Sequence, residues 1–404
     1  MFAGQFISIT GSQMQLVTIN WHVYLLMKPY GEKAAAAALG AVGLVRVLPI
    51  IVCSLAGGVV ADAVDRKRLI MVTQSVMLAS AAALAFFTAR GLSRVWPIYA
   101  LTALASAAVA FDNPARQALM PSLVPARDFP NAVSLGFVSF QIAMVVGPVL
   151  GGVVLARYGP ATVYAINAAS FLAVIAAMLL IRAGGKVRGD ESGRVSLEAL
   201  KEGLSFVWRT PVMVQTIALD FIATFFASAN ALLPIFASKV LNVGERGYGL
   251  LAAAAAFGAV VTGLMLARRP AWRRPGLTIL VSVAIYGAAT VVFGFSRYYW
   301  LSLLMLAVTG AADTVSTVIR QTIRQLLTPD RLRGRMTSVN MIFFMGGPQL
   351  GELEAGLVAS VAGAPFSVVL GGVGCLIAVV LTAARAGELL RYRFSKQDDA
   401  SAQA

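Results

Sequence analysis

The sequence predicts an all-α membrane protein, with twelve transmembrane helices in two pseudo-symmetric halves of six. Three observations carry this reading. Apolar stretches of about 18 or more residues, long enough to cross a bilayer, recur along a chain of 404 residues that is 58% hydrophobic and 13% charged. One polar interval, 183–209, is longer than the rest and falls near the middle. Short motifs on either side of it echo each other.

The spans fall at 5–27, 35–60, 69–90, 96–119, 131–156, 160–182, 212–238, 247–267, 276–296, 299–322, 336–361 and 365–386. Spans one, four, seven and ten carry polar groups, so hydropathy marks them less strongly. A membrane β-barrel would need short segments of alternating hydrophobicity, a pattern absent here. The first span follows Met1 almost at once, without the basic leader of a secretory signal.

Charge placement sets the orientation. With the 62–68 loop inside, 24 of the 33 Lys and Arg lie in cytoplasmic segments, eight lie outside, and Arg46 lies within a span. That bias places both termini in the cytoplasm, for which a bacterial inner membrane is the expected home. The net charge of +15 is therefore spread over membrane loops; a nucleic-acid partner would need a basic patch on a soluble domain. Cys53, Cys375 and the single histidine, His22, make no metal-ligand cluster or catalytic pair. No GxxxxGK[ST] phosphate loop is present. An enzyme, a metal site, a cofactor and an ATP motor are not expected.

The halves span 1–182 and 212–386, joined by a linker at 183–211 and followed by a tail at 387–404. The linker begins Gly-rich and charged; from Ser196, Leu197, Leu200, Leu204 and Val207 recur at helical spacing. "RQALMPSLVPAR" (116–127) aligns with "RQTIRQLLTPDR" (320–331) at an offset of 204, and "GPVLG" (147–151) with "GPQLG" (347–351) at 200. "GVVADAVDRKR" (58–68) meets "GLMLARRPAWRR" (263–274), where Ala267 replaces the Asp. Parallel repeats around a central cavity are a transporter's organisation.

Here a family resemblance becomes specific. "GGVVADAVDRKR" (57–68) resembles the loop 2–3 signature of the major facilitator superfamily, broadly G-x-x-x-D-R-x-G-R-[RK]. Gly58, Asp62, Arg66 and Lys67 fit; one extra residue precedes the Asp, and Ala63 and Asp65 depart from the pattern. "GPVLGG" resembles the core of a motif of the exporting branches, with Ala143 in place of its earlier glycine. "DNPARQALMPSLVP" and "LRGRMTSVN…GGPQLGELEAGLVA" are similar to the branch of enterobactin (siderophore) exporters and some macrolide-efflux proteins. The resemblance implies that Asp62 gates the cytoplasmic side against Arg116 and the segment after Arg335. Arg66, Lys67 and Arg68 also read as topology markers facing anionic lipid.

Ionisable groups within spans cost roughly 2.5–3.5 kcal/mol on insertion scales, so each is a functional candidate. Thr216, Asp220, Thr224 and Ser228 recur every four residues and make one polar stripe. Asp313 shares its face with Thr309 and Thr317, with Arg320 two turns on. Asp112 precedes Arg116 by one turn, which suits an intrahelical pair. Glu352 and Glu354, two residues apart, point to different sides of one helix. Arg46 needs a carboxylate or water, and His22 reads either as a titrating group or as hydrogen-bonded structure. Gln13, Gln15, Asn20 and Trp21 suit an amphipathic ligand, with Thr224 and Thr317 expected on the same cavity. Gly147, Pro148, Gly151, Gly347, Pro348 and Gly351 serve tight packing or a hinge.

The expected function is a secondary exporter working by alternating access, and the expected state is a monomer. Protons would be carried by one or more of Asp220, Asp313, Glu352 and Glu354, and the cargo would be a siderophore or amphipathic drug. An uptake permease, a lysophospholipid flippase of the same fold and a non-transporting sensor are the alternatives.

Overall fold

The computed structural model describes residues 2–180, 205–227, 229–268, 272, 274–329, 333–385 and 390. Within the helices, the side chains of 2, 54–59, 61–63, 126, 333–345 and 385 lie outside that description. The described chain is helical almost throughout. Its long helices are α1 (Phe2–Met27), α2 (Glu32–Ala63), α3 (Arg66–Ala89), α4 (Trp96–Leu123), α5 (Phe129–Leu180), α6 (Pro211–Phe226), α7 (Gly244–Leu266), α8 (Pro275–Phe295), α9 (Tyr299–Leu327), α10 (Arg333–Ala362) and α11 (Ala364–Arg385).

Local chemistry explains the boundaries. Pro stands in the first turn of α4, α6 and α8, where its missing N–H costs nothing and its fixed φ suits a helix start. Asp65 caps α3: its Oδ1 accepts from Arg68 N at 2.9 Å. The 52 residues of α5 are broken at Gly159, whose φ of 78° and ψ of 175° leave the helical region. Unbroken, at about 1.5 Å per residue, they would reach about 78 Å, far more than a bilayer core of about 30 Å.

Eight of the described helical runs are long and apolar enough to cross a membrane. α1 and α4, at 26 and 28 residues, are as long but richer in polar side chains. Large apolar residues such as Phe137, Leu180, Trp300 and Val361 stand open on the surface, as they do where lipid is the solvent.

Two compact units result: Met1–Val195 with Leu233–Ala253, and Ser196–Leu232 with Ala254–Ala404. Leu233–Ala253, which follows the linker in sequence, joins the first unit. In that unit Ile70, Ala115, Leu119, Val174 and Met178 pack α3, α4 and α5 together. In the second, Leu219, Ala223, Ile279, Val283, Ile319, Ile323 and Cys375 join α6, α8, α9 and α11. Of the linker's apolar face, Leu197, Leu200 and Leu204 lie outside the described residues; Val207 is buried with Met213 and Ile217.

The repeated glycines are packing points in both units. A Cβ on Gly147 or Gly151 would strike Gln13, Thr10 or Met14 of α1. One on Gly347 or Gly351 would strike Thr224 or Phe225 of α6. The two motifs therefore do equivalent work, each bringing its helix backbone against the first helix of its half.

Candidate functional site

The second unit gathers three charged side chains that the sequence places on two helices. Asp220 stands on α6 in its threonine stripe. The threonine hydroxyls are spent on their own backbone: Thr216 Oγ1 donates to Met213 O at 3.0 Å and Thr224 Oγ1 to Asp220 O at 2.8 Å. Asp220 is left to meet a neighbour, and the neighbour is Arg320 of α9. Arg320 Nη2 lies 2.7 Å from Asp220 Oδ1 and 3.6 Å from Asp313 Oδ1. It also donates to Thr317 Oγ1 at 2.8 Å, and that hydroxyl is 3.5 Å from Asp313 Oδ1. The Arg320 side chain is 5% exposed, Asp220 15% and Asp313 47%. Ser228, the last of the stripe, lies outside the described residues.

A buried arginine within a span has to be paired, because its desolvation is otherwise prohibitive. Asp220 and Asp313 supply the pairing from different helices. Arg320 is a candidate site residue the sequence reading did not select. The signal was present: Asp313, Thr317 and Arg320 sit at i, i+4 and i+7, on one helical face.

The first unit holds a second ionic cluster. Arg116 Nε pairs with Asp112 Oδ2 one turn back on α4, as the spacing suggests. Asp112 Oδ1 also accepts from Thr73 Oγ1 at 2.8 Å and Gln74 Nε2 at 3.1 Å, both on α3. Asp62 and Gly58, the expected gate, lie among the side chains outside the description, as does the segment after Arg335. Arg66 Nη1 donates to Ala118 O of α4 at 3.0 Å, so this end of α3 is tied to α4 by a backbone contact. Lys67 is half-buried and also engaged.

The remaining candidates are dispersed. His22 is buried with its Nδ1 3.2 Å from the Tyr164 hydroxyl, and Asn167 donates to Gln15 Oε1 at 2.8 Å. Both contacts hold α1 to α5, so His22 stands in a structural polar seam. Trp21 is 3% exposed and stacks on Tyr248, ring centroids 5.3 Å apart. Gln13 is half-buried against Gly147. Glu352 is buried and Glu354 half-buried on α10. Arg46 is half-buried on α2, with no ion pair among the described residues.

One contact set had no counterpart in the sequence reading. Ser238 accepts from the Tyr24 hydroxyl at 2.9 Å, Lys239 Nζ lies 3.0 Å from Glu32 Oε2, and Tyr248 OH donates to Val17 O at 3.2 Å. A Cβ on Gly152 would come within 2.8 Å of Gly249 Cα, and the converse holds. These contacts attach 233–253 to α1, α2 and α5. The paired residues are up to 231 positions apart, beyond the reach of any local pattern.

Comparison with known proteins places this architecture. The model of the transmembrane secretion effector family, a branch of the major facilitator superfamily, matches residues 1–399. The chain belongs to the major facilitator superfamily. It is a transporter, not an enzyme. Among its relatives, the multidrug efflux pump Tap of Mycolicibacterium fortuitum is 27% identical over 89% of this chain and 88% of its own. The enterobactin exporter EntS of Citrobacter koseri is 25% identical over 84% of this chain and 81% of its own. Among solved structures, a bacterial homologue of the human lysosomal transporter Spinster superposes with a TM-score of 0.70 at 15% identity, covering 97% of this chain and 99% of that one. A bacterial homologue of the iron transporter ferroportin gives 0.69 at 14%, covering 96% and 97%. The major facilitator fold and a multi-pass membrane location follow.

Proposed function

We propose that this transporter is a proton-coupled exporter of amphipathic small molecules, crossing the membrane twelve times with both termini in the cytoplasm. One observation supports the coupling above all: a buried guanidinium between two carboxylates on separate membrane helices, Asp220 and Asp313. Two acids and one base make an unequal set, which holds a variable number of protons as its surroundings change. Each proton moving inward contributes about 2.3 kcal/mol per 100 mV of membrane potential. A cluster that gains a proton on one side and loses it on the other draws on that gradient.

The export direction is supported by the efflux relatives, Tap and EntS. Their printed cargoes, drugs and a siderophore, define the chemical range to test. The loop 2–3 residues Gly58, Asp62, Arg66 and Lys67 are proposed to secure the cytoplasmic side in one state of the cycle. The second-half segment 233–253, held on α1, α2 and α5, is proposed to do the same on the outer side.

The test uses purified protein in liposomes that enclose a pH-sensitive dye, under an imposed proton gradient. A catecholate siderophore, a macrolide and a lipophilic cation are added in turn. Ligand-triggered proton flux that disappears in Arg320→Gln supports the proposal. Binding of a ligand without any proton flux would sink it in favour of lipid flipping or sensing.

A further inference from the structure

Arg320 treats its two carboxylates unequally. Its Nη2 carries two hydrogens. Thr317 Oγ1, at 2.8 Å, takes one. Asp220 Oδ1 forms a close ion pair with the same nitrogen, at 2.7 Å. Asp313 Oδ1 stands farther from that nitrogen, at 3.6 Å, beyond hydrogen-bond length. Asp313 feels the cation across Thr317 and faces open space with about half its side chain, whereas Asp220 is largely enclosed.

A comparison within the chain explains the asymmetry. Arg320 occupies the position that Arg116 occupies in the first half, at the offset of 204 set by the two RQ motifs. Arg116 has Asp112 one turn before it. The corresponding residue before Arg320 is Ser316, buried and with no hydrogen-bond partner for its hydroxyl among the described residues. The intrahelical counter-ion is missing, and α6 supplies it as Asp220. Asp313, three residues before Ser316, is then the carboxylate in excess. The neighbouring titratable and charged groups are Tyr286 on α8, whose hydroxyl donates to Ala227 O at 3.2 Å, Cys375 on α11, which donates to Val283 O at 3.7 Å, and Arg324, one turn farther along α9. None of them displaces Asp220 from Arg320.

We propose that Asp313 is the residue that takes up and releases the transported proton, and that Arg320 is a positioning residue that commits Asp220 as its standing counter-ion. The assignment rests on the proton-coupled reading above. Uptake converts the Asp313 carboxylate to a carboxylic acid and leaves a neutral Arg320–Asp220 pair, which can be closed off from water. Release restores a net negative charge, which requires water or a cationic group nearby. The cycle balances as one proton bound and one proton released, with no covalent step.

A carbodiimide test on the wild-type protein needs no variant to fold. Dicyclohexylcarbodiimide forms adducts with protonated carboxyl groups in apolar surroundings, and peptide mass spectrometry locates them. The expected adduct is on Asp313, falling as pH is raised, with Asp220 unmodified. Infrared titration of the protonated-carboxyl band supplies the second reading. The pH-dependent part of the band should vanish in Asp313→Asn, persist in Asp220→Asn but at lower pH as Arg320 turns to Asp313, persist singly in Arg320→Lys, and roughly double in Arg320→Gln as Asp220 is freed. An adduct and band that follow Asp220 would overturn the assignment while leaving proton coupling intact. No adduct on either residue, and no band lost in either variant, would overturn both.

Discussion

Arg116 and Arg320 are the same residue twice over, at matching places in two repeated helices, and they are paired in opposite ways. Arg116 finds its carboxylate on its own helix, where Thr73 and Gln74 complete the cluster and the exposure of both ions is low, 12% and 7%. Arg320 finds its carboxylate on another helix, with a second acid left over and half open. A pair within one helix is preserved when that helix moves. A pair between helices is broken or made by their motion, and an unmatched acid makes the set sensitive to protons. The first cluster is therefore suited to stability and the second to change.

Several substitutions would break this contrast or sharpen it. The largest effect is expected from Arg116→Ala, which leaves Asp112 buried without its cation. Breaking one partner of such a pair costs about 3–5 kcal/mol, read as a lowered unfolding free energy in detergent; an unfolding free energy like wild type would show that the first cluster is not structural. Arg320→Gln should cost less stability, about 1.5–3 kcal/mol for a charged hydrogen bond, because the freed Asp220 loses its unpaired charge by taking a proton. Its proton-linked flux in liposomes should nevertheless be abolished. Equal losses of stability in the two variants would erase the distinction.

Ser316→Asp converts the second cluster to the first. The new carboxylate sits one turn before Arg320 and competes with Asp220 for it. An advantage of about 1.4 kcal/mol would reduce the interhelical pair tenfold. Flux should fall by about that factor with the fold retained, and flux unchanged would mean that the interhelical pair is not the working one. Thr317→Val is the gentlest change. It removes the hydroxyl between Arg320 and Asp313 at a cost of about 1 kcal/mol. It also removes the hydroxyl's own donation to Asp313 Oδ1, which favours the carboxylate, so proton uptake should move to higher pH in the infrared titration; a shift to lower pH would show that Arg320 turns to Asp313 instead.

How far the sequence reveals this depends on the range of each interaction. The Asp112–Arg116 pair was legible because a separation of four residues fixes the geometry on a helix. The GPxLG glycines read as tight packing or a hinge, and the sequence does not separate the two. Periodicity also placed Asp220 and Asp313 on polar faces. It could not say that those faces meet at Arg320, since a period gives a direction and not a neighbour. Glu32 and Lys239 are 207 residues apart, and no pattern within either segment announces the other. Asp65 was seen as a departure from a motif, when its place before α3 marks it as a cap. Its neighbour Asp62 stays an expectation carried by resemblance.

The break at Gly159 bears on how the chain is made. With α5 crossing twice, as proposed, the two crossings are joined by little more than Tyr158, Gly159 and Pro160. A turn this short carries no polar domain to hold at the headgroups while the second crossing is still being synthesised. The pair must then enter lipid together as a hairpin, and the orientation of one fixes that of the other. A residue with a side chain at φ 78° would strain the turn. Its penalty would fall during biosynthesis, as protein that never reaches the membrane in the right topology, before any defect in transport could be measured.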